Sequence, residues 1–156
     1  MEWSLIDRWK ANILPTQIPD MIKITDKPIE VKDALEGASS LSAGAVNVFV
    51  GNIRETSRGK RVVWLEYEAF ESMAVSEIKK IIDQAKSKWQ INGFAVVHRI
   101  GTLKPGETAV VVAVSTGHRK ESFEACSFII DSLKQTVPIF KKEVFEDGEE
   151  WVSAHP

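Results

Sequence analysis

The chain has 156 residues, 44% of them hydrophobic, with 20 Lys and Arg against 22 Asp and Glu and a formal charge of −2. That length fits one domain with a real core, and the near-neutral balance excludes a global field for holding a nucleic-acid backbone or an anionic membrane. With Cys126 the single cysteine, no Cys/His cluster at metal-ligand spacing and no apolar run near the ~18 residues of a bilayer span, the sequence reads as soluble and cytoplasmic, without cofactor or metal.

Residues 1–20 form an N-terminal amphipathic extension. Trp3, Ile6, Trp9 and Ile13 recur at three and four, which predicts a helix ending before Pro15 that either docks on its own domain or serves as a partner-binding arm. Residues 21–156 are read as a single domain. It begins with a strand in IPDMIKITDKPI and a short helix in VKDALEGASS ending near Gly37. AVNVFVG (45–51) is a strand, followed by the basic loop NIRETSRGK. In VVWLEYEA, Val63, Leu65 and Tyr67 alternate with Trp64, Glu66 and Glu68, a half-buried strand expected to run antiparallel to the one before.

Segment 71–89 places Ala74, Ile78, Ile81, Ile82, Ala85 and Trp89 on one helical face. FAVVHRIG and TAVVVAVST are strands around the turn LKPGE, and a helix over about 120–136 is stopped by Pro138. KKEVFEDGEEWV closes the chain as a hairpin with its turn at Asp147-Gly148. Hairpins in place of strict strand-helix alternation imply an α+β domain, with a largely antiparallel sheet and helices on one side.

On a wheel centred on Phe123, Cys126, Ile130, Leu133 and Val137 share a flank and Lys134 sits at its edge. Spacing leaves two readings of Lys134: a stem that covers apolar surface while its ammonium reaches water, or a partly desolvated amine fit for acid, base or nucleophilic work. His118 and Arg119 stand where a strand gives way to a helix, beside free backbone N–H groups. They form either an anion site or a first-turn ion-pair cluster with Glu121 and Glu124. Lys141 and Lys142 open a strand and so point to opposite faces. Arg54 lies in a loop after a strand, a common place for ligands. Cys126 falls on the apolar flank with no cationic neighbour at helical spacing, the setting of an inert thiol and not of a persulfide carrier.

GAVNVFVGNIRETSRGK, LEYEAF, VVHRIGTLKPGE, STGHRKESFEACSFIIDSLK and VPIFKKEVFEDGEEWV, in that order, resemble the large, catalytic subunit of molybdopterin synthase from about Met21 to Trp151. The resemblance implies a hammerhead-type α+β fold and a homodimer of large subunits within a heterotetramer. Each large subunit would carry a small ubiquitin-like sulfur carrier whose C-terminal Gly-Gly tail ends in a thiocarboxylate. Sulfur would pass from that tail to cyclic pyranopterin monophosphate to form the molybdopterin dithiolene, with no nucleic acid or membrane involved. Carried onto this sequence, the resemblance implies Lys134 and Lys141 as the catalytic pair. It implies Asn52, Ile53, Arg54, His118, Arg119, Lys142 and Glu143 as substrate-binding residues. Phe140 stands where tryptophan is usual, keeping an aromatic wall without the indole N–H. The alternative from another class is a noncatalytic α+β module that captures an acidic C-terminal tail.

Overall fold

The structure, a computed structural model, describes residues 20–152. The helix expected over Trp3–Ile13 lies outside the described residues. In chain order the elements are β1 (Met21–Thr25), α1 (Val31–Gly37), β2 (Ala45–Asn52), β3 (Thr56–Ser57), β4 (Lys60–Ala69) and α2 (Glu71–Lys88). They continue with β5 (Ile91–Arg99), β6 (Gly101–Leu103), β7 (Thr108–Thr116), α3 (Arg119–Thr136), β8 (Ile139–Phe145) and β9 (Gly148–Val152).

One sheet has the order β1-β5-β7-β2; the other has the order β3-β4-β8-β9, with β6 also on β4. Only the β1-β5 pair is parallel, so the α+β, largely antiparallel character expected from the hairpins is what the chain adopts. β5 and β7 read as near-continuous apolar runs because both of their faces are covered. Val96, Val110, Val112 and Val114 meet the buried stripes of α2 and α3, where full burial of Ile78, Ile82 and Ile129 contributes about 1.5–3 kcal/mol each. The alternate residues Ala95, Val111 and Ala113 pack on Ala34 and Ala38 at and just beyond α1. The two long helices therefore share one side, as expected, while the short α1 covers the other. The approach there is close: a Cβ at Gly93 would lie 2.5 Å from the Ala38 carbonyl oxygen.

Four local expectations are corrected. β4 does not pair with β2, whose partner is β7. Instead, the basic loop folds into a tight hairpin, with Arg58 and Gly59 at φ 52° and 75°, which pairs β3 with β4 and carries β4 into the second sheet. Val63 does not share the inner face with Leu65 and Tyr67: the β4-β8 register shifts between Val62 and Trp64, so Val62 is buried and Val63 is 37% exposed. Phe123 is 59% exposed, and the buried stripe of α3 runs instead through Ser122, Cys126, Ile129, Ile130 and Leu133. The last hairpin turns one residue earlier than the Asp147-Gly148 pair, because Phe145 pairs with Gly148 around Glu146-Asp147.

The chain crosses from the first sheet to the second between β5 and β6, where Gly101 has φ 93°, a left-handed conformation that glycine adopts without strain. The C-terminal end of α3 lies over this junction.

Candidate active site

At the junction is a cavity of about 300 Å³. α3 follows β7 after a two-residue connection and must run back along it, so its C-terminus lies over the β7 start and the β2 end. This brings Lys134 to the cavity, with Nζ 6.0 Å from the centroid of the Phe49 ring on β2. Pro138 cannot continue the helix, and Val137 turns extended to lead into β8. Lys141 then sits opposite Tyr67 of β4, with its Nζ 3.5 Å from Oε1 of Glu143. Glu143, at only 4% exposure, stands on the same cavity-facing side of β8.

The third wall comes from the end of β2. Its register against β7 shifts between Gly51 and Asn52, and Asn52 Oδ1 accepts the Thr108 hydroxyl at 2.8 Å. Ile53 donates its N–H to the Glu107 carbonyl at 2.9 Å and accepts the Gly106 N–H at 2.8 Å. The Glu107 side chain takes the Lys104 N–H at 2.5 Å and the Arg99 guanidinium at 3.1 Å, so the LKPGE turn is tied internally before it braces the loop. These contacts hold the Glu107 carboxyl below its usual range, with the Lys104 amide the larger cause. Ile53 is buried against Leu65, Leu103 and Phe145, which leaves the exposed Arg54 at the cavity mouth.

Tyr67 and His98 also line the cavity, and the sequence reading did not single them out. Their signal was period two: Tyr67 is in phase with the inward Leu65, and His98 with the inward Phe94 and Val96. The His98 and Tyr67 rings meet edge to face with centroids 5.2 Å apart. Burial pushes His98 down to about 4 against a hydrogen bond to the Arg99 carbonyl that acts the other way. Burial first, and then the negative charge of Glu143, pushes the Tyr67 phenol up to about 12.

Three of the expected substrate-binding residues lie outside this cavity. His118 and Arg119 are exposed at the opposite end of α3, and the 15 residues from Arg119 to Lys134 span about 22 Å of helix. Within one chain they cannot share a small ligand with Lys134. Lys142 follows strand alternation to the other face of β8, where it pairs with Glu66 at 2.8 Å and Glu149 at 3.4 Å. The hydrogen bond to Glu66 is the main cause that raises its pKa. Cys126 is 2% exposed, and burial pushes its thiol up to about 11, so it is no ready nucleophile.

The MoaE protein family model matches residues 24–136. The chain belongs to the MoaE family. It is 45% identical over 133 residues to the molybdopterin synthase catalytic subunit of Bacillus subtilis, covering 85% of each chain. It superposes on the crystal structure of a molybdopterin synthase from Staphylococcus aureus with a TM-score of 0.80 and 39% identity, covering 83% of this chain and 95% of that one. A Helicobacter pylori structure described as a complex of subunits 1 and 2 of molybdopterin-converting factor shares the fold, with a TM-score of 0.66 at 20% identity, covering 89% of this chain and 94% of that one. The function expected from the sequence, that of a molybdopterin synthase catalytic subunit, is the function of this family.

For a MoaE-family chain the cavity has a definite electrostatic character. Among the described residues, Lys134, Lys141 and Arg54 bring three cations to its walls, while Glu143 is the one carboxylate. Such a site attracts anions, and positioned ammonium groups can stabilise an oxyanion that develops during acyl transfer.

Proposed function

We propose that the chain transfers sulfur from the C-terminal Gly-Gly thiocarboxylate of a small ubiquitin-like subunit to cyclic pyranopterin monophosphate, forming the molybdopterin dithiolene. The observation that carries this reading is that Lys134 of α3 and Lys141 of β8 line one cavity with Arg54 at its mouth. The sulfur arrives on the partner, which suits a chain whose single thiol is buried and kept protonated.

In this reading Arg54 and the Asn52-Ile53 backbone receive the phosphate-bearing substrate through charge-assisted hydrogen bonds. Lys134 and Lys141 stabilise the oxyanion formed on the tail's carbonyl carbon and move protons as the cyclic phosphate opens and the acyl link hydrolyses. The tail leaves as a carboxylate, its sulfur now on the pterin side chain. Glu143 holds Lys141 on the cavity side of its strand. Two large subunits, each with a small one, make the heterotetramer. His118 and Arg119 bind substrate only in a site shared with the second large subunit, and Lys142 serves the outer face of the sheet.

The test is a sulfur-transfer assay with the thiocarboxylated small subunit and the cyclic substrate. Lys134→Ala should abolish dithiolene formation while the complex with the small subunit still forms on gel filtration. Near wild-type turnover in that variant would sink the assignment of Lys134. Absence of product with folded wild-type components would favour a noncatalytic tail-binding module.

A further inference from the structure

Two groups that line the cavity, Glu143 and His98, present acceptor atoms. Glu143 Oε2 is buried and has no hydrogen-bond partner among the described residues. His98 is 6% exposed, and its Nδ1 lies 2.7 Å from the Arg99 carbonyl oxygen. A carbonyl oxygen only accepts, so Nδ1 carries the hydrogen and Nε2 of the neutral ring is left as an acceptor. Burial keeps the ring neutral at working pH. Tyr67 links the two: its ring fixes the His98 plane from one side, and it stands two residues along β4 from Leu65, the cross-strand partner of Glu143.

Buried acceptors are normally satisfied, because stripping one of water without a partner costs free energy. The unpartnered Glu143 Oε2, with the His98 ring lining the same cavity, marks where donors of a ligand fit. The cavity's remaining polar groups sort the other way, since Lys134 and Arg54 are exposed donors and cations at its outer wall. A ligand that satisfies both ends has an anionic end and an end rich in N–H groups. Given the sulfur-transfer reading, on which this step rests, that ligand is the phosphate-bearing pterin.

We propose that His98 Nε2 and Glu143 Oε2 accept hydrogen bonds from the N–H groups of the pterin ring, so that the substrate enters ring first with its phosphate held at the Arg54-Lys134 mouth. His98 is then a specificity-determining residue of the reaction. It selects a heterocycle that carries N–H donors and sets which end of the substrate lies near the lysines.

The experiment uses the complete complex with the thiocarboxylated small subunit. His98→Leu should raise KM for the cyclic substrate about 10-fold, and more than it lowers kcat. His98→Gln, which restores an acceptor, should recover most of that loss, and affinity for the small subunit should be unchanged in both. An unchanged KM in folded His98→Leu overturns the proposal. So does a loss confined to small-subunit affinity, which would assign the acceptors to the tail's amides. A second measurement needs no variant: fluorescence titration of the wild-type protein with pterin and with an analogue bearing a 2-oxo group in place of the 2-amino group. Tighter binding of pterin is the expected result, and equal binding overturns the proposal even if His98→Leu fails to fold. Because that titration requires no turnover, a wild-type complex that transfers no sulfur would overturn the functional reading separately.

Discussion

His98 ties the site to the stability of the fold, and acidification exposes the link. Its pKa in the folded chain is about 4, against 6.5 for the free side chain, because burial disfavours the imidazolium. A histidine depressed in this way contributes stability that is fully present above the unfolded value and is lost as pH falls through 6.5 toward 4, since only the unfolded chain takes up the proton. The whole shift corresponds to about 3 kcal/mol, of which about 2 kcal/mol is lost between about pH 7 and about pH 5. The assay is urea unfolding of wild type and His98→Gln at both pH values. Glutamine does not titrate, so the wild type should lose about 2 kcal/mol more than the variant, a midpoint shift of about 1 M urea. The other side chains are the same in both proteins, so the comparison isolates residue 98. Equal losses would refute the neutral buried imidazole, and with it the acceptor assigned to Nε2.

Cys126→Ala should retain sulfur transfer, because the thiol is 2% exposed and its raised pKa leaves little thiolate. In the wild type a thiol reagent should label Cys126 at the rate of unfolding, and rapid labelling of the native protein would contradict its burial. On α3, Ile129→Ala should lower the unfolding free energy by about 2–5 kcal/mol, whereas Phe123→Ala should stay within about 0.5 kcal/mol. Reversal of that order in urea melts would restore the wheel centred on Phe123.

Much of this molecule was legible from local pattern. The apolar runs in TAVVVAVST and FAVVHRIG, the apolar face of 71–89 and the stop at Pro138 each depend on neighbours a few residues apart, and each gives an element close to its expected bounds. The same locality explains why Lys141 and Lys142 were separable in advance, since strand alternation alone sends them to opposite faces. It also explains the wheel error on α3. Both Phe123 and Ile129 are large and apolar, and only the surface packed against the helix decides which one is inside.

By itself, the sequence determined the elements, the antiparallel character of the fold and the residue types available for anion chemistry, because these follow from periodicity, turn residues and side-chain chemistry. The resemblance carried the family and its lysine pair. Tertiary structure alone decided which distant residues meet. The Arg58-Gly59 hairpin sends β4 into a second sheet, and the antiparallel course of α3 along β7 brings Lys134 to the cavity while leaving Arg119 about 22 Å away. Burial at the sheet junction then turns His98, one more strand residue in the sequence, into a neutral acceptor that lines the same cavity as Glu143. Such effects depend on what surrounds a side chain in three dimensions, and nothing in the residues adjacent to it encodes that environment.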